Sequence, residues 1–355
     1  MVMMRISKSV GLLITIFCLG YLAWNISAQV TPTGVWKMEW SPDGEQLAIA
    51  DWNSLVYILN ESGTLQHTLS GHSGRASTVA WSPDGAILAT GGDDQFINLW
   101  NPSTGTLTHQ ILPNINALYE GVAKIAWSPD GEYLLATSFD TFQFWETASW
   151  MALEPYRGGT LYDAEWSSDG ILLAVTDPYT LSFFNGQTLT TDDLENDVIE
   201  IKGDNPEKLS WSDNSRFIAT TDRLDPRVSI WDVPTRSRIA MLNTTGSLFT
   251  DVVFVGSDQV AAVTENGTLY LLDTSASVLA TFETGMVEAR NLAWNPQQKL
   301  FAIGGAQTVV DERGVSGLSI VPMDALLPPH PTTIIPDSAQ RASQAQHMAS
   351  GHRQD

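Results

Sequence analysis

Cysteine is almost missing from this chain: Cys18 is the only one, and it falls inside an apolar N-terminal segment. The remainder therefore has no disulfide, no thiolate zinc site and no thiol nucleophile. Basic residues are also scarce, 18 Lys and Arg against 40 Asp and Glu, leaving a formal charge of −22. Such a surface repels phosphate backbones and anionic headgroups, so no nucleic-acid partner is expected. Six histidines are scattered, none spaced with Asp or Glu as a metal-ligand pair, and there is no Gly-x-Ser-x-Gly elbow and no glycine-rich phosphate loop opening a helix. Helical periodicity is lacking as well. No catalytic constellation and no cofactor is expected.

What is present is repetition. Trp40-Ser41-Pro42-Asp43-Gly44 recurs letter for letter at 81–85 and 127–131, in worn form at Trp166 to Gly170 and Trp211 to Ser215, and faintly at Phe254 to Asp258 and from Trp294. These seven aromatic anchors lie 39 to 46 residues apart. A period near forty indicates a propeller, solenoid or array, and a closed array overrides the two or three domains that length alone would suggest. Within the second unit, Ala76 to Trp81, Ile87 to Thr90, Phe96 to Trp100 and Thr106 to Leu112 read as four short strands separated by turn residues. The Ser-Pro-Asp-Gly turn has a mechanical reading: Pro presets φ, Ser and Asp bind local backbone, and Gly takes the left-handed conformation.

A second periodic mark closes each third strand, as in Asn98-Leu99-Trp100-Asn101, Gln143-Phe144-Trp145-Glu146 and Ser229-Ile230-Trp231-Asp232. With Gly71-His72 opening the second unit, the chain resembles the WD40 repeat family over roughly residues 35 to 335. That resemblance implies an all-β fold, a seven-bladed WD40-type β-propeller of four-stranded antiparallel blades around a central channel. It also implies a buried, non-catalytic hydrogen-bonded tetrad in blade two: His72, Thr90, Asp94 and Trp100. No other blade has the Gly-His, and Asp225, six residues before Trp231, is the best second match for the tetrad aspartate.

Three regions follow. Residues 1–28 read as a signal peptide or membrane anchor: Arg5 and Lys8 precede the uncharged stretch Val10 to Trp24, and Ala28 offers a small residue for cleavage. Cleaved, it leaves a secreted protein; uncleaved, it tethers the protein to the membrane through residues 10–24. Both outcomes put the repeats outside the cytoplasm. Residues 29–336 form the propeller, its last blade closed by either Gln29 to Thr33 or Thr332 to Ile335, with the second favoured. Residues 337–355, rich in Ser, Ala, Gln and His, read as a disordered tail.

Function is sought among residues the repeat leaves unexplained. Of 13 tryptophans, Trp36, Trp52 and Trp150 fit neither periodic mark nor the signal. Trp36 shares a strand face with Met38 and Trp40 and reads as core. Trp52, Tyr179, Arg223 and Arg227 fall in loops between second and third strands, and Tyr119 in a linker, all on the face that carries the blade-to-blade connections. Aromatic and Arg residues are the usual binding anchors. Asp192, Asp193, Glu195 and Asp197, assigned to the linker after blade four, supply oxygens of the kind calcium takes but lack the glycine of a tight calcium loop, so the segment reads as solvated. The favoured function is a non-catalytic scaffold presenting this face to a protein partner. The alternatives are a secreted lactonase- or hydrolase-type propeller enzyme with a metal in the channel, and an accessory propeller of bacterial surface complexes.

Overall fold

The computed structural model describes residues 34–113, 121–138, 140–157, 160–186, 189, 198–200, 204–307 and 317–326. They form seven antiparallel sheets set radially around a channel. Six have four strand positions in simple meander order. The fourth strand of blade three is split into Met151–Ala152 and Tyr156–Arg157, both paired to Thr141–Glu146, because Pro155 between them has no N–H for the ladder. Among the described residues blade seven has three strands, Met286–Asn295, Leu300–Gln307 and Leu318–Pro322. Both stretches considered for its closure, 29–33 and 332–335, lie outside the described residues, as do the N-terminal segment 1–28 and the tail 337–355. A single 3-10 turn, Met323–Ala325, is the only helix among the described residues.

The first strand of each sheet is innermost, and these seven strands touch in order around the ring, with Val35–Trp40 meeting Met286–Asn295 to close it. Closure is tight. A Cβ on Gly304 would come within 2.5 Å of Val35 Cγ1, and Asn295 Nδ2 donates to the Gly44 carbonyl at 2.8 Å. The buried side chains divide into seven apolar clusters, one between each pair of neighbouring blades. Burial thus lies between sheets rather than within one, and no blade can bury its faces alone.

The repeated pentapeptide builds both the turn and the seam. Ser41 Oγ donates to Asp43 Oδ1 at 2.5 Å and accepts the Gln46 N–H at 2.9 Å, and Asp43 accepts the Glu45 N–H. Gly44 sits at φ 74°. The same pattern recurs at Ser82, Ser128 and Ser167, and at Ser212 with Asn214 replacing Asp. The preceding tryptophan reaches sideways. The indole N–H of Trp81 donates to the Glu39 carbonyl, Trp127 to Ala80 and Trp211 to Glu165, each at 3.0–3.1 Å and each to the previous blade. Trp40 and Trp166 occupy the same position, but their indole N–H groups meet no acceptor.

Trp36 departs from its expected place in the core. The ladder slips between Val35 and Lys37, so Trp36 is the extra residue of a bulge and swings to the connection face, half-buried. Equivalent slips occur at Ala76/Thr78, Pro206/Leu209 and Phe249/Asp251. Trp150, the other unexplained tryptophan, packs edge-on against Trp127 in the seam between blades two and three.

Because one indole is bonded and the other is not, Trp81→Phe should cost about 1 kcal/mol more stability than Trp40→Phe, the net worth of one hydrogen bond, as read from urea unfolding midpoints. Equal costs would show that the indole bond does not hold the seam.

Candidate functional site: the connection face and the channel

In blade two, Trp100 Nε1–H donates to Thr90 Oγ1 at 2.9 Å, and the Thr90 hydroxyl lies 2.8 Å from His72 Nε2. His72 Nδ1 stands 2.9 Å from Asp94 Oδ1, and Asp94 also accepts the Ser73 N–H. A carboxylate only accepts, so Nδ1 carries the proton and Nε2 takes the Thr90 hydroxyl hydrogen. Side chains of His72 and Asp94 are 1% and 4% exposed, which leaves them no access to a substrate.

Blade five keeps half of this arrangement. Trp231 Nε1–H donates to Thr220 Oγ1 at 3.0 Å, but the carboxylate that accepts the incoming N–H, from Asn205 at 2.9 Å, is Asp222. Asp225, expected in that role, is 53% exposed and pairs with Arg227. The reason is chain geometry: Asp222 ends the second strand and is held buried, whereas Asp225 sits three residues out on the turn.

The connection face separates the proposed anchors. Trp52 is 53% exposed and Tyr179 72% exposed, both at turns between second and third strands. Trp52 meets Trp36 edge-on at 5.2 Å, and the Arg75 guanidinium lies 3.9 Å from the Trp36 ring centre and 4.8 Å from that of Trp52, a stacked cation held from behind by Asp93. Arg223 is exposed and rests over Tyr162 at 4.9 Å, with Leu224 beside it 67% exposed. Arg227 does not share this presentation: its side chain is 14% exposed and is tied to Asp204, Asp222 and Asp225, while Arg238 also binds Asp204. Tyr119 lies outside the described residues, as do Asp192, Asp193, Glu195 and Asp197. The acidic stretch is nonetheless misassigned as a linker, because the fourth strand of blade four is Val198–Glu200 and follows it.

The channel was not foreseen as a charged site. Three residues before each anchor stand, in blade order, Lys37, Thr78, Lys124, Asp163, Lys208, Asp251 and Asn291. Lys124 Nζ lies 2.7 Å from Asp163 and Lys37 Nζ 3.9 Å from Asp251. Asp163 and Asp251 also accept N–H groups of the next blade, from Leu209 and Leu292. Two residues further along, Glu39 and Glu165 face the channel from blades one and four. Burial pushes their carboxyls up to about 7 and about 8, against the partial pull of Lys37 and Lys124. The spacing was legible as a repeat, but the repeat does not state which side of the inner strand meets the channel.

Comparisons with known proteins agree with this geometry. The family described as "WD domain, G-beta repeat" matches residues 63–101, a span that joins the last strand of blade one to three strands of blade two. The chain is a WD40-repeat propeller. It is similar to Periodic tryptophan protein 2 of Arabidopsis thaliana, 25% identical over 66% of this chain and 25% of that protein. It is also similar to the COMPASS component SWD3 of Saccharomyces cerevisiae (strain ATCC 204508 / S288c), 27% identical over 54% of this chain and 62% of that protein. The chain thus spans less than two thirds of either relative. A solved structure titled "Structure of U3-55K" superposes with a TM-score of 0.69 at 14% identity, over 82% of this chain and 95% of that one, a likeness of fold.

Two outcomes follow for this WD40 propeller. His72→Ala should cost about 2 kcal/mol by leaving Thr90 and Asp94 short of a partner, measured by urea unfolding. Burial alone would raise the Asp94 carboxyl, but the His72 and Ser73 bonds hold it below its ordinary 3.8. Its contribution is therefore complete above 3.8 and lost as pH falls further. Glu39 and Glu165 act with the opposite sign. Raised in the folded state, they favour folding below the ordinary 4.5 and lose that contribution as pH climbs through about 7 to 8. The double substitution Glu39→Gln, Glu165→Gln should flatten the decline in Tm between acid and mildly alkaline pH; an unchanged slope would contradict the assignment.

Proposed function

We propose that this protein is a non-catalytic interaction scaffold that works outside the cytoplasm and presents its connection face to a protein partner. The observation that carries the reading is the concentration of residues outside the repeat on one rigid face: Trp36, Trp52 and Arg75 in one cluster, Arg223 and Leu224 in another, with Tyr179 standing free. Exposed aromatic and Arg side chains on a stiff frame lose little freedom on docking, which makes them efficient anchors. One relative is named as a COMPASS component, part of an assembly, which supports a scaffold. The extracytoplasmic placement rests on Arg5, Lys8 and the uncharged run 10–24. Among the described residues no helix is long and apolar enough to cross a membrane.

The second reading, a hydrolase with a metal in the channel, requires several inward-facing ligands to converge. The channel carboxylates of the described residues do not gather into a group of three His, Cys, Asp or Glu that could hold an ion.

Crosslinking in the native host followed by mass spectrometry tests the scaffold. Trp52→Ala with Tyr179→Ala should lower partner capture about tenfold, the loss of two interface anchors, with the melting temperature retained. Undiminished capture would move the interface elsewhere. A stoichiometric metal in the purified protein, with a large drop in Tm on adding EDTA, would favour the hydrolase.

A further inference from the structure

The channel differs at its two ends. At the connection face it is lined by Lys208, Arg223 and Arg290 together with Glu207 and Glu265. At the other end it opens into a cavity of about 430 Å³ walled by the anchor tryptophans and by Pro83, Pro129 and Pro296 of the turns. Around this second mouth the repeat places one exposed aspartate per blade in six blades: Asp43, Asp84, Asp130, Asp169, Asp213 and Asp258. The same seven turns carry only two basic residues, Arg216 and Lys299. Asp43 and Asp84 are held below the ordinary carboxylate range by the Ser41 and Ser82 hydroxyls, so they stay ionised at neutral pH.

Inside the mouth, Glu39 and Glu165 line the cavity, and among the described residues neither enters an ion pair. The lysines nearest to them are committed at the waist, Lys37 to Asp251 and Lys124 to Asp163. Two residues of strand, about 6.6 Å, separate that waist from the glutamates. Both are partly buried against the cavity, Glu39 accepts the Trp81 N–H at 3.3 Å, and a ligand cation would supply the direct ion pair that they lack.

We propose that this mouth receives a lysine or arginine side chain from a basic segment of a protein partner. The aspartate ring draws the segment in, and Glu39 and Glu165 take the cationic head. Tryptophan and proline walls cover the aliphatic stem. This surface is on the opposite side from the connection face and does not depend on it.

Fluorescence anisotropy on the purified full chain, at physiological ionic strength, tests the idea with a labelled Lys/Arg-rich peptide and with Glu-rich and Gly/Ser-rich controls. The basic peptide should bind in preference to both controls. Glu39→Gln with Glu165→Gln should weaken it about tenfold while raising Tm at mildly alkaline pH, where both carboxyls of the free protein are ionised, because the amides keep the shape and remove the charge. A merely structural role would lower both. Glu265→Gln at the far mouth should leave binding unchanged. Affinity untouched by the double substitution, or no preference for the basic peptide, would overturn the proposal; either result would leave partner capture through Trp52 and Tyr179 unaffected.

Discussion

Everything in this molecule depends on the contact between one inner strand and the next. A blade has two apolar faces and no means of covering them, so stability comes from seams, seven of them, each filled by its own cluster of side chains. Trp81, Trp127 and Trp211 tie their seams by reaching a backbone carbonyl of the previous blade, and Thr78, Asp163 and Asp251 add bonds from side chain to the next blade's N–H. Such bonds are insensitive to the identity of the residue whose backbone they use.

The same logic explains what was legible beforehand. Strand number, the four-strand unit and the Ser-Pro-Asp-Gly turn could be read because each is enforced locally, by φ at Gly44 or by the Ser41 hydroxyl between Asp43 and Gln46. Trp36 escaped because a one-residue bulge inverts the alternation that strand reading assumes. Asp225 fails as the tetrad match because a spacing from Trp231 counts along the chain, and a turn of different length shifts that count. The acidic stretch 192–197 was assigned to a linker because the short strand Val198–Glu200 carries too few residues to register as a pattern. Arg75, which completes the Trp36–Trp52 cluster, comes from the neighbouring blade, a proximity no single repeat contains.

The two faces consequently differ in what they carry. Turns made by the repeat are uniform, and their uniformity puts carboxylates around one mouth. Connections between blades and the turns between second and third strands are free to differ, and the exposed aromatics, Arg223 and Leu224 lie there. Loops on a rigid frame are where recognition tends to evolve, since the frame holds them in place at little entropic cost. The buried His72–Thr90–Asp94–Trp100 network belongs to the frame. It fixes the geometry of blade two and offers no reactive group to solvent.

The most direct measurement of this division is hydrogen–deuterium exchange on the propeller alone and in complex with its captured partner. If recognition resides in what the repeat leaves over, protection on binding will gather at residues 34–36, 51–55 and 222–227 and leave the outer strands 106–111 and 237–243 unchanged. Protection confined to the outer strands, with the connection face exchanging as before, would contradict it.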